Sequence, residues 1–157
     1  MDARTYDLDF VEWTEQQAAA LRARPLDVNA LDAERLAEEI EDMGREHIRK
    51  VSSFLMQMLV HLLKLHLDQS SPSAQKWFNE ALRFQAKAVL ALSPGIKQRL
   101  DIGKIWRLAK SGATLKLEQY DVTVPDLPQN CPLSLDEMLR ENFDPHEALK
   151  TIAAAIK

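Results

Sequence analysis

The sequence predicts an all-α protein: an antiparallel up-and-down helical bundle around one long central helix, with a proline-rich extended strap and short C-terminal helices. The first observation behind this is a stretch, residues 33–67, in which Leu36, Ile40, Met43, His47, Val51, Phe54, Met58, Leu62 and Leu65 step by three or four, one face of a helix. The second is a set of helix-opening signals at Ser71-Pro72, Ser93-Pro94, Ser134 with Glu137, and Asp144-Pro145. The third is that most connections are short, which makes successive helices antiparallel neighbours.

Taken in order, Asp7 or Asp9 can cap a first helix carrying Phe10, Trp13, Ala18 and Leu21. Residues 24–27, Arg-Pro-Leu-Asp, end it, because the residue before a proline is pushed out of helical geometry. The long helix follows from its Asp32 cap. In its first half Glu34, Glu38, Glu41, Asp42, Arg45, Glu46 and Arg49 leave only one stripe for burial. From Val51 on, Leu55, Leu59, Val60 and Leu63 join that stripe, and a thin polar seam of Ser53, Gln57, His61, Lys64 and Asp68 remains. At 1.5 Å per residue the helix would be roughly 50 Å long, so either Gly44 kinks it or its acidic half projects.

Residues 68–73 stop the long helix, and a third helix opens at Ser71-Pro72 with Ala74, Trp77 or Phe78, Ala81, Ala88 and Leu92 inward. Ser93-Pro94 begins a short turn through Leu100 or a kinked continuation. A fourth helix carries Ile102, Ile105, Trp106, Ala109, Ala113 and Leu117. Gly103 and Gly112 weaken it by about 1 kcal/mol each relative to alanine. Residues 121–133 hold three prolines and no helical period, so they form an extended strap anchored by Val122, Val124 and Leu127. Ser134 and Glu137 make a capping box for a short helix with Leu135, Met138 and Leu139. The last helix presents Ala148, Leu149, Ile152 and Ile156.

A chain of 157 residues suffices for a single helical domain, 1–157, with a sizeable core. Cys131, the single cysteine, forbids an internal disulfide and fits a reducing compartment. No signal peptide opens the chain, and polar residues interrupt the greasiest window, so a cytoplasmic protein outside the membrane is expected. Charge is layered: 13 acids against 7 bases over residues 1–50, 4 against 10 over 51–120, and 7 against 3 thereafter.

Five segments follow one another in order: Glu38-Glu39-Ile40-Glu41-Asp42-Met43-Gly44, His61-Leu62-Leu63-Lys64, Trp77, Ser93-Pro94, and Pro128-Gln129-Asn130-Cys131-Pro132. Together they resemble a bacterial family known only as domain of unknown function 29. No single motif is specific; their succession carries the resemblance, which spans about residues 6–143 and leaves 144–157 as a C-terminal helical extension. The chain departs from the family at Leu65, where an aromatic is expected, and at Lys76, where serine is expected. The resemblance implies an all-α fold and no activity.

The chemistry in the sequence is sparse. His61 and Lys64 lie one turn apart on the polar seam, a base and an anion-binding cation if a pocket reaches them. The plainer alternative is a histidine bonded to a neighbouring helix and a lysine reaching outward. None of the four histidines has an acid three residues before it, and one cysteine cannot build a zinc cluster, so no metal and no cofactor are expected. Glu38 and Asp42, four residues apart, could share a cation, but solvated acids on an exposed face explain them equally well. Cys131 sits in the strap with no helix start to activate it, and no phosphate loop or nucleophile elbow appears.

Arg83, Lys87, Arg99, Lys104 and Arg107 belong to a basic middle that suits phosphates, or that simply answers the acids of the long helix. Trp13, Trp77 and Trp106 fall at core spacing. The favoured reading is a non-enzymatic protein that binds a protein partner, above all a second copy of itself, through Leu36, Ile40 and Met43. Nucleic-acid binding by the basic middle ranks second and an enzyme at His61 and Lys64 third.

Overall fold

The computed structural model describes residues 4–24 and 32–156. From Pro25 onward, the helix stop expected at 24–27 lies outside the described residues. Among those residues no strand occurs, and the helices are α1 (Arg4–Leu8), α2 (Phe10–Arg22), α3 (Ala33–Leu67), α4 (Ala74–Ala91), α5 (Pro94–Arg99), α6 (Ile102–Glu118), α7 (Leu135–Met138) and α8 (Pro145–Ala155). The fold is all-α, as its periodicities require. Two compact units are recognisable, residues 1–51 with 91–100 and residues 52–90 with 101–157, and α3 contributes to both.

In the first unit one carboxylate organises two helix starts. Asp9, not Asp7, caps α2 by accepting from the Glu12 amide at 3.2 Å. The same side chain accepts from Ser93 Oγ at 3.1 Å and from the Gly95 amide at 2.6 Å, which ties α5 to α2. A Cβ on residue 95 would sit 2.5 Å from Asp9 Oδ1, so only glycine admits this approach. Ser93 caps α5 as its Ser-Pro sequence requires, accepting from Ile96 N at 3.2 Å.

Gly44 is buried in α3 where Thr14 of α2 meets it. Thr14 is fully buried, and its hydroxyl donates to Val11 O at 2.7 Å. A Cβ on Gly44 would lie 3.3 Å from Thr14 Cβ and closer still to Oγ1. The glycine therefore makes a notch for α2, and α3 stays helical through it. Arg22 bridges α2 to Glu34 and Glu41 of α3.

In the second unit the apolar half of α3 buries Leu55, Met58, Leu59, Leu62 and Leu63 completely. Phe54 faces Phe84 while Lys64 faces Trp77, so α4 runs antiparallel to α3. Regular α4 begins at Ala74, later than Ser71-Pro72 suggests. Ser71 Oγ instead accepts from Ser73 N at 3.1 Å and closes the preceding turn. Leu65, Trp77 and Leu117 form a core cluster onto which Val122, Val124 and Leu149 pack, so the strap is anchored at Val122 and Val124 as expected.

The strap begins with a Schellman ending of α6. Val122 N donates to Leu117 O at 3.1 Å and Asp121 N to Glu118 O at 3.1 Å, with Asp121 at φ 59° in the left-handed region usually left to glycine. Trp106, fully buried, fixes the far side of the strap by donating its indole N–H to Pro128 O at 2.8 Å. Gln85 is buried in α4, a position that period alone would fill with an apolar residue. Its Nε2 donates to Met138 O at 3.0 Å and Arg140 O at 2.8 Å, which holds α7. The Ser134–Glu137 capping box forms as read, and Asp144 caps α8.

Candidate functional site

The three residues singled out on the first half of α3 remain largely unburied. Leu36 is 39 % exposed, Met43 is 51 % exposed, and Ile40 is half-buried. A contact from α2 widens this face. Phe10 lies on His47 at 4.6 Å between ring centroids, Trp13 stacks on Phe10 at 5.8 Å, and Tyr6 meets both edge-on. Trp13 is half-buried and Tyr6 is 51 % exposed, so the first unit carries an aromatic cluster beside the Leu36–Met43 stripe. Sequence reading places Trp13 in the core and does not join α2 to this face. The signal was present as the Phe10 and His47 periodicities, but neither helix alone says that they meet.

His61 and Lys64 lie on the seam as placed, each occupied by a neighbour. His61 Nδ1 is 2.7 Å from Gln57 O, a pure acceptor, so Nδ1 carries the N–H of that bond, and the ring stacks on Phe84 at 5.8 Å. Burial lowers the pKa of His61 below the ordinary 6.5, reinforced by the nearby Lys64 and Lys116 charges. Lys64 Nζ sits 4.4 Å from the Trp77 ring centroid, and burial first, then Lys116 and Lys76, lowers its pKa as well.

The His61 shift has a consequence for acid stability. With the folded pKa below 6.5, the unfolded chain binds more protons in the window just under that value, so His61 removes stability as pH falls through it. Glu80 and Glu41, held below the usual carboxylate range by Arg83 and Arg22, act only at lower pH. His61→Phe is therefore expected to lose less stability than wild type between about pH 7.5 and pH 5.5, read from urea midpoints. Equal losses in the two proteins would remove the half-buried His61 imidazole from the account.

Several members of the basic set already have partners of their own. Arg99 belongs to the first unit, where Glu12 and Glu15 pair with it and the Gly95 carbonyl accepts at 2.8 Å. Arg83 pairs with Glu80, and Lys87 covers the rings of Phe54 and Phe84. Lys104 and Arg107 are exposed on α6. Burial raises the Cys131 thiol above its ordinary value, away from thiolate chemistry. Among the described residues no group of three or more histidine, cysteine or acidic side chains is placed to hold a metal, and no helix is long and apolar enough to cross a membrane.

The second unit also carries an apolar groove that no single helix announces. It measures about 450 Å³ and runs between the end of α3, the start of α4 and α8, with Leu65, Phe78 and Leu149 on its floor and His66, His146 and Lys150 at its rim. His66 stands in the apolar run and His146 in the final helix, so their meeting depends on how α8 packs.

Comparison with known proteins adds a family and a fold. The chain is similar to a crystal structure of an α-helical protein of unknown function from Rhodospirillum rubrum. The two share 33 % identity over 95 % of this chain and 98 % of that one, with a TM-score of 0.82. No curated protein matches the sequence. The profile of the domain of unknown function DUF29 matches residues 5–144, nearly the whole helical assembly described above, and the chain belongs to that family.

Proposed function

We propose that the protein acts in the cytoplasm, without catalysis, by pairing with a second copy of itself through the first half of α3. The observation that carries this is the exposed stripe of Leu36 and Met43 beside the Tyr6–Phe10–Trp13 cluster. Apolar patches of this kind mark interaction surfaces when polar residues rim them.

Charge order favours a second copy as the occupant. Residues 33–43 hold five acids and one base, whereas residues 44–51 hold three bases and one acid. An antiparallel, two-fold pairing of these segments sets the acidic turns of each copy against the Arg45, Arg49 and Lys50 turns of the other.

Light scattering behind gel filtration tests the reading. Wild type is expected at twice the chain mass, and Leu36→Asp with Met43→Asp at the monomer mass with unchanged circular dichroism. Both positions are exposed, so the double substitution spares the core. A monomeric wild type, or a double mutant that keeps the wild-type mass, would remove this interface. An ultraviolet spectrum showing salt-displaceable nucleic acid would shift the reading to the basic residues Lys87, Lys104 and Arg107.

A further inference from the structure

We infer that the groove between α3, α4 and α8 binds a medium-chain carboxylate, its tail on Leu65, Phe78 and Leu149 and its head among His66, His146 and Lys150. The volume of about 450 Å³ falls in the usual range for small-ligand sites, and the lining is mostly apolar with a few polar groups at one edge. Its floor is backed by the Leu65–Trp77–Leu117 cluster, against which Ala74, Phe78 and Leu149 pack, so the apolar surface is held in place by the core beneath it.

The rim selects the sign of the head group. No acidic residue lines the groove, although the chain has 24 acids against 20 bases. Lys150 supplies an ammonium, and His66 and His146 add imidazole hydrogen-bonding groups. His146 rests against Phe78 with 4.8 Å between ring centroids, which sets an imidazole directly above the apolar floor. Lys150 donates to Glu147 at 3.0 Å, but that pair lies one turn apart on α8 with both side chains mostly exposed, so the ammonium can turn to an arriving carboxylate at small cost. A tail alone would gain the floor and leave the rim unused; a cationic head would find no carboxylate in the lining to pair with. α8 begins at Pro145, just past the end of the family match at residue 144, so one wall of the groove lies beyond that match.

Isothermal titration calorimetry with decanoate below its micellar range tests this on the full chain, with decyltrimethylammonium as the opposite-charge control. Saturable one-to-one binding of decanoate is expected, with the cationic amphiphile weaker by about tenfold or more, the scale of one charged contact. His146→Glu with Lys150→Glu, both at exposed positions, should weaken decanoate by a similar factor. Ala153→Trp, exposed on α8 at the groove edge, should abolish binding by filling the site while circular dichroism stays unchanged. No saturable heat with decanoate, equal binding of the two amphiphiles, or full binding by folded Ala153→Trp would each overturn the proposal. Capture of phosphatidylglycerol vesicles without binding of free decanoate would also overturn it, by making the face a lipid-surface contact.

Discussion

Replacing Trp106 by alanine is expected to lower the stability of the protein by about 3–5 kcal/mol, the range for emptying a fully buried indole site. For a chain of this size the melting temperature should fall by something on the order of 10 °C. The effect has two parts that a second variant separates. Trp106 fills the α6 face of the second unit, and its indole N–H holds Pro128 O of the strap at 2.8 Å. Lys110 Nζ also donates to that carbonyl, at 3.0 Å, so losing the indole donor does not strand the acceptor. Trp106→Phe keeps most of the volume and should cost only about 1 kcal/mol, the net worth of one hydrogen bond. Urea unfolding gives both numbers, and limited proteolysis shows whether residues 121–133 loosen in Trp106→Ala. Equal losses in the two variants would mean that the strap hydrogen bond, not the buried volume, dominates.

The part of the fold that periodicity can carry was legible. Leu55, Met58, Leu62, Ile105, Ala109, Ala113 and Leu117 are buried where their spacing puts them, because each lies on a helix face that has no other use. Local capping chemistry was equally readable at Ser93, Ser134 and Asp144, since donor and acceptor there are only two or three residues apart. What stayed hidden depends on partners far away in the chain. Gln85 is buried because two carbonyls some 53 and 55 residues later need its amide, and nothing near it in sequence announces them. Asp9 looks like an ordinary cap until Ser93 and Gly95 arrive on it. The rim of the groove is divided between α3 and α8 in the same way, whereas Leu36, Ile40 and Met43 were visible because a single helix holds all three.

Gly44→Ala is expected to destabilise the protein by about 1–2 kcal/mol, against the rule that alanine improves a helix interior by about 1 kcal/mol. The added methyl would fall against Thr14 Oγ1, and that hydroxyl is already committed to Val11 O inside the core. Turning Thr14 away strands a buried hydroxyl, and backing α2 off opens the packing around Val11 and Ala18; both outweigh the propensity gain. A double-mutant cycle gives the decisive reading. Thr14→Ala alone should cost about 1 kcal/mol through its lost hydrogen bond, but in the Gly44→Ala background it should be neutral or stabilising, because it removes the atom in conflict. Urea midpoints of the four proteins measure the coupling, and a Gly44→Ala protein more stable than wild type would remove the notch from the account. The same displacement bears on assembly. Phe10 lies one turn before Thr14 on α2 and rests on His47 of α3, so a retreat of α2 disturbs the aromatic side of the proposed pairing surface. Gly44→Ala should then weaken self-association as well as folding, and Thr14→Ala should restore both together; restoration of stability without restoration of the dimer would place the partner contact away from Phe10.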